Sequence, residues 1–202
     1  MEVLLIDDHP ALNAGIAAML ESTGVFTVCG QTESLSQAMS FVEKSDPLPS
    51  AIVLDLILGE ENGLDFLPML KKHCAARKTP TPPVLVYSAL SDPFKIRTAF
   101  KLGAAGFLSK TVGKAELLKA IDAILRGKTY VSDELNVKLN EDAGLYSKFT
   151  KQETKVIDLI KSDKTNQQIA ERLCINIRTV ENYISRIYFK TGYSSRDEVR
   201  QL

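Results

Sequence analysis

A chain of 202 residues, 45% of them apolar and 25% charged, has room for one large or two small globular domains and lacks the composition of a disordered or fibrous protein. Its net charge of zero hides an asymmetry: residues 1–146 carry 14 Lys/Arg against 18 Asp/Glu, and residues 147–202 carry 11 against 7, so an acidic front precedes a basic tail suited to a polyanion. No apolar run approaches the ~20 residues that cross a bilayer, no basic signal start is present, and Cys29, Cys74 and Cys174 form neither a CxxC nor a zinc spacing; the expectation is a soluble, cytoplasmic protein without disulfides.

Apolar blocks alternate with amphipathic stretches through residues 1–126. Short buried strands are predicted at Val3–Ile6, Ala51–Leu54, Val84–Tyr87 and Ala105–Leu108, with a weaker one at Phe26–Cys29. Helices are predicted between them at Pro10–Glu21, Ser34–Glu43, Gly63–His73, Pro93–Leu102 and Lys114–Leu125. Strands apolar on both faces and separated by helices imply a parallel sheet covered on both sides, hence an α/β doubly wound domain with a five-stranded parallel sheet.

Residues 127–146 break the pattern with Gly127, Ser132, Asp133, Asn140 and Gly144, and read as a linker with a short helix near Ser132–Leu139. Beyond it no strand signal survives. Four helices are predicted at Lys151–Lys161, Asn166–Leu173, Ile177–Lys190 and Arg196–Leu202, with Thr150 and Glu153 forming a capping box for the first and Thr165 capping the second. Ile157, Leu159, Ile160, Ile169, Ala170, Leu173, Val180, Ile184 and Ile187 supply the apolar stripes of an all-α unit over residues 147–202.

Functional groups in open parallel sheets gather at the carboxyl ends of the strands. Here Asp7 and Asp8 follow the first strand, Asp55 the third, Ser88 ends the fourth and Lys110 follows the fifth. Three carboxylates at one rim repel each other and call for a compensating charge, which a hard divalent cation such as Mg²⁺ supplies. A carboxylate beside such a cation can attack a phosphoryl group. The blocks LLIDDHP, IVLDLILGEENG, VYSALSD and GAAGFLSK resemble, in order and spacing, the signature blocks of response-regulator receiver domains (flavodoxin-like), over residues 1–126. The resemblance implies that Asp55 is the phosphoacceptor, that Asp7, Asp8, Asp55 and the backbone carbonyl of Ile57 hold Mg²⁺, that Ser88 and Lys110 contact the phosphoryl group, and that Phe107 is a switch aromatic. Gly59 replaces the proline common after the phosphorylation loop, and Ser88 stands where threonine is also common.

The tail, FTKQETKVIDLIKSDKTNQQIAERLCINIRTVENYISRIYFKTGYSSRDEV, resembles the LuxR-type (NarL/FixJ) helix-turn-helix over nearly its whole length. The helix around Ile177–Lys190 is then the candidate for the major groove. Its exposed Glu181, Asn182, Ser185 and Arg186 are candidate base contacts, since Glu accepts from cytosine, Asn pairs with adenine and Arg with guanine. Arg178, Thr179, Lys190, Lys164 and Lys161 are candidate phosphate contacts. Glu181 stands where many relatives carry a basic residue, and Tyr183 where many carry His.

The two resemblances together imply a transcriptional regulator of a two-component system rather than an enzyme. Its expected partners are a sensor histidine kinase, promoter DNA, RNA polymerase and, once phosphorylated, a second copy of itself. On activation Phe107 is expected to follow Ser88 and Lys110 inward. The alternative is a phosphorylation-independent DNA-binding regulator whose receiver pocket is vestigial or controlled by a partner. A haloacid-dehalogenase-type phosphatase is disfavoured because Asp55-Leu56-Ile57 lacks the second carboxylate of a DxD pattern. Neither GxGxxG nor a P-loop is present.

Overall fold

The computed structural model describes residues 1–89, 92–137, 139 and 148–202. It divides into two compact units, Met1–Asn136 and Val137–Leu202. In the first, strands β1 (Glu2–Ile6), β2 (Thr27–Thr32), β3 (Ala51–Leu54), β6 (Val84–Ser88), β7 (Gly106–Ser109) and β8 (Tyr130–Val131) form one parallel sheet in the order β2-β1-β3-β6-β7-β8. Two further short strands, β4 (Ile57–Leu58) and β5 (Glu61–Asn62), pair antiparallel as a separate hairpin. The sheet has six strands rather than the expected five. Tyr130 and Val131, read from sequence as linker, pair with Gly106 and Phe107; a two-residue strand is too short to leave a periodic signal.

Helices α1 (Pro10–Glu21), α2 (Leu35–Lys44), α3 (Phe66–Arg77), α4 (Pro93–Leu102) and α5 (Lys114–Leu125) connect the strands. Their starts follow from local chemistry. Ser34 caps α2 by accepting from Gln37 N, and Asp92 caps α4 by accepting from Phe94 N and Lys95 N just before Pro93. The expected Gly63–His73 helix is displaced: Gly63–Asp65 form a 3-10 turn capped by Asn62, and α3 continues to Arg77, where Lys78 turns left-handed at φ 56°. Val3, Leu5, Val53, Leu85, Tyr87 and Leu108 face a core completed by Ile16 and Leu20 of α1 and by Leu117, Ile121 and Ile124 of α5. The alternating Leu4, Ile6, Ile52, Leu54, Val86 and Phe107 are equally buried, as the two-residue repeat of strands requires when both faces are covered.

The helix expected near Ser132–Leu139 is present over residues 133–137, where Leu135 is fully buried; positions 138 and 140–147, including Asn140 and Gly144, lie outside the described residues. The second unit holds α6 (Lys151–Lys161), α7 (Asn166–Leu173), α8 (Ile177–Thr191) and α9 (Arg196–Arg200). Three of the four begin with a two-way capping box (Thr150/Glu153, Thr165/Gln168 and Ser195/Glu198), and Asn176 caps α8. Val156, Ile157, Ile160, Ile169, Ala170, Val180, Ile184, Ile187 and Val199 form its core. Among the described residues no helix is long and apolar enough to cross a membrane.

Candidate metal centre and candidate nucleic-acid interface

The chain leaves β1 to form β2 on one side and returns to form β3 on the other, so a crevice opens at the carboxyl ends of β1 and β3. That crevice receives Asp7 and Asp8 from the first strand end and Asp55 from the second. The sheet ladder runs into the site: Asp7 N donates to Thr32 O at 3.0 Å and Asp55 N to Ile6 O at 2.8 Å, which fixes both backbones. Asp7 and Asp55 are each only 4% exposed. Buried carboxylates without partners are costly, and here Lys110 meets both, with Nζ 2.5 Å from Asp7 Oδ2 and 2.6 Å from Asp55 Oδ2. Burial works to lower the Lys110 pKa, but its hydrogen bonds to Asp55 and Asp7 and their negative charges outweigh that and hold it above the usual lysine value.

Carboxylate oxygens of Asp7, Asp8 and Asp55 and an imidazole nitrogen of His9 lie within 4.8 Å of one another. His9 Nδ1 is 2.7 Å from Asp8 Oδ1 and 3.1 Å from Asp7 Oδ1, so the acidic group is bracketed by His9 on its exposed side and Lys110 on its buried side. Three hard oxygen donors this close together fit a Mg²⁺ ion that keeps part of its water shell. Ile57 lies in β4, two residues beyond Asp55. Ser88 is fully buried at the end of β6, and its carbonyl accepts from Lys110 N at 2.9 Å, which holds the lysine-bearing turn beside the serine. Phe107 is fully buried, paired in register with Val86 and Val131.

Sequence reasoning missed two contributors here. His9 was passed over because one histidine beside two aspartates carries no pattern of its own. Gly63 was read only as a helix start. A Cβ at Gly63 would lie 2.0 Å from the Asp55 carbonyl oxygen and 2.9 Å from Leu56 Cα, both immovable backbone. Gly63 N also donates to Leu56 O at 2.9 Å, so the glycine clamps the segment that follows Asp55. Gly63→Ala is therefore expected to cost about 3 kcal/mol, the upper end of over-packing, and to slow any chemistry at Asp55. Chemical denaturation checks the first effect; an unchanged midpoint would contradict it.

In the second unit α8 buries Val180, Ile184 and Ile187 and exposes Arg178, Glu181, Asn182, Ser185, Arg186 and Phe189. Thr179 and Ser185 are turned back on the backbone: Thr179 Oγ1 donates to Asn176 Oδ1 at 2.9 Å and Ser185 Oγ to Glu181 O at 3.0 Å. Arg178, Glu181, Asn182 and Arg186 have no side-chain partner among the described residues. Phe189, which sequence reasoning passed over, is 91% exposed. Lys161 and Lys164 are half-buried on or just after α6.

Lys190, expected to reach phosphates, makes an ion pair within the unit. Its Nζ lies 2.6 Å from Oε2 of Glu153, a residue that is only 1% exposed, and that oxygen also accepts from Thr150 N at 2.7 Å. Burial pushes the Glu153 pKa up, but Lys190 and the Thr150 amide outweigh it and hold the carboxyl below its ordinary value. Lys190 thereby ties the end of α8 to the start of α6.

Each part of the chain matches a known family. Residues 3–122 match the response regulator receiver domain, and residues 147–202 match the bacterial regulatory proteins of the luxR family. The transcriptional regulatory protein LiaR of Bacillus subtilis (strain 168) is 32% identical over 206 residues, covering 98% of this chain and 94% of LiaR. The nitrate/nitrite response regulator protein NarL of Escherichia coli (strain K12) is 29% identical, covering 97% and 91%. The structure of RcsB from Salmonella enterica serovar Typhimurium, bound to promoter rprA with the phosphomimetic BeF3⁻, superposes with a TM-score of 0.68 at 22% identity, covering 99% of this chain and 96% of that one. A likeness at that identity speaks to the fold.

Proposed function

The chain belongs to the bacterial response regulators that carry a receiver domain and a luxR-family regulatory domain, and from that membership we propose that it is a phosphorylation-gated, promoter-binding regulator acting in the cytoplasm. The family is one of transcription regulators, not enzymes. The observation that carries the receiver half of the reading is the triad at the sheet's switch point, in which Lys110 pairs with the buried carboxylates of Asp7 and Asp55. In the proposed domain plan residues 1–126 receive the phosphoryl group, 127–146 link, and 147–202 bind DNA through α8.

In the proposed step a carboxylate oxygen of Asp55 attacks phosphorus on a histidine kinase phosphoimidazole or on acetyl phosphate. A P–O bond to Asp55 forms while the bond to imidazole or acetate breaks, and the leaving group departs with that electron pair. Asp7, Asp8, Asp55 and the Ile57 carbonyl are the residues that would hold Mg²⁺, which would supply positive charge beside the transferring oxygens. Leu56 N donates to Asp55 Oδ1 at 2.6 Å and holds the carboxylate in one orientation, leaving Oδ2 toward Lys110. The new phosphoryl oxygens attract the Lys110 ammonium and the Ser88 hydroxyl, which shifts the population toward a state with a changed β6–β7 end. Phe107, fully buried in β7, is the proposed switch aromatic that follows this shift. A second copy, bound as a dimer on paired half-sites, and RNA polymerase complete the proposed partners.

Incubation with acetyl phosphate tests the reading: with Mg²⁺, intact-mass measurement should show a gain of one phosphoryl group that EDTA prevents. No gain, or a gain indifferent to EDTA, would favour the alternative of a regulator with a vestigial pocket.

A further inference from the structure

We propose that Glu181 selects a cytosine in the target duplex, accepting a hydrogen bond from its N4 amino group and disfavouring other bases at that position. The inference rests on the reading of α8 as the helix that enters the major groove. It arises from which polar heads on that helix remain free.

Three of the polar groups on that helix are already engaged. Thr179 is bonded to Asn176, Ser185 to the Glu181 carbonyl, and Lys190 to Glu153. The free heads among the described residues are those of Arg178, Glu181, Asn182 and Arg186, spread along ~12 Å of one helix face. Three of them can donate. Glu181 alone is an acceptor only, and no cation lies within ion-pair distance of its carboxylate among the described residues.

A bare carboxylate brought toward DNA is repelled by phosphates, by guanine O6 and N7, and by thymine O4. Only an exocyclic amino group offers it a donor. In an A·T pair the adenine N6 sits between two acceptors, N7 and O4. In a C·G pair the cytosine N4 has an acceptor on one side and the C5–H on the other, so a carboxylate approaches it with less repulsion. Glu181 therefore lowers affinity for most sequences and recovers it at cytosine, which is specificity by exclusion. Arg178 and Arg186 supply the attraction that such a helix still needs.

The test is selection from a randomised duplex pool by the full chain treated with beryllofluoride and Mg²⁺, using wild type, Glu181→Ala and Glu181→Gln. The wild type should enrich a motif in which one cytosine is favoured about tenfold over each other base. Glu181→Ala should lose that preference while keeping the remaining columns, and should bind an unrelated duplex more tightly than wild type. Glu181→Gln, which adds a donor, should admit adenine at the same column. A motif that keeps its cytosine in Glu181→Ala would overturn the inference and leave the DNA-binding reading intact. Absence of any enriched motif with wild type would overturn the groove-helix reading and the inference with it.

Discussion

Asp55→Ala incorporates no phosphoryl group from acetyl phosphate under conditions that label the wild type, and its affinity for Mg²⁺ falls. The expectation is a loss to background rather than a graded decline, because no other carboxylate at the rim shares the position of Asp55. Asp7 is bonded by Lys110, by His9 N and by the His9 ring, while Asp8 accepts from Gly59 N at 2.9 Å on the exposed side. The substitution removes one of two buried carboxylates that face Lys110, and Lys110 retains Asp7 as partner, so the fold should survive. A circular dichroism spectrum like that of wild type, together with no mass gain, is the predicted pair of results. Continued labelling of the variant would place the phosphoacceptor elsewhere.

The second large effect is one of stability. Lys190→Met leaves the buried Glu153 carboxylate without its cation, and the cost of breaking such a pair from one side is about 3 kcal/mol. For a small all-α unit that is a fall in Tm of roughly 12–24 °C. The pH dependence has a definite sign. The Glu153 pKa is lowered on folding, so its contribution is present above the ordinary carboxylate range and is lost as pH falls through the depressed value. Wild type should lose stability in that acid window, and Glu153→Gln should show a flatter profile there. If Lys190 were instead a phosphate contact, Lys190→Met would leave Tm unchanged and reduce the salt slope of DNA binding by about one.

How far the fold could be read from the sequence differed by element. α1, α4, α5, α6 and α7 have the bounds the periodicity predicts; Pro10, Pro93, Thr150 and Thr165 mark the starts of all but α5 in local chemistry. β8 was not legible, because Tyr130 and Val131 become a strand only through pairing with Gly106 and Phe107, more than twenty residues earlier. In the pocket the residue types and their order along the chain pointed to Asp7, Asp8, Asp55, Ser88 and Lys110. What sequence could not carry was who neutralises whom. The double contact of Lys110, the bracket made by His9, and the close approach that demands glycine at 63 are properties of three-dimensional distance. Lys190 shows the same limit from the other side: its charge suggests a phosphate, and its contact with Glu153, 37 residues earlier, is a property of the fold.

The central claim is that phosphorylation at Asp55 gates DNA binding by α8. Fluorescence anisotropy on duplex DNA from upstream of the protein's own operon tests it most directly, comparing untreated protein with protein given beryllofluoride and Mg²⁺. A coupling of about 1–3 kcal/mol corresponds to an affinity gain of roughly five- to 150-fold on treatment, and Asp55→Ala should show none. Equal affinity for treated, untreated and Asp55→Ala protein would contradict the account and leave a DNA-binding regulator whose receiver pocket does not control its output.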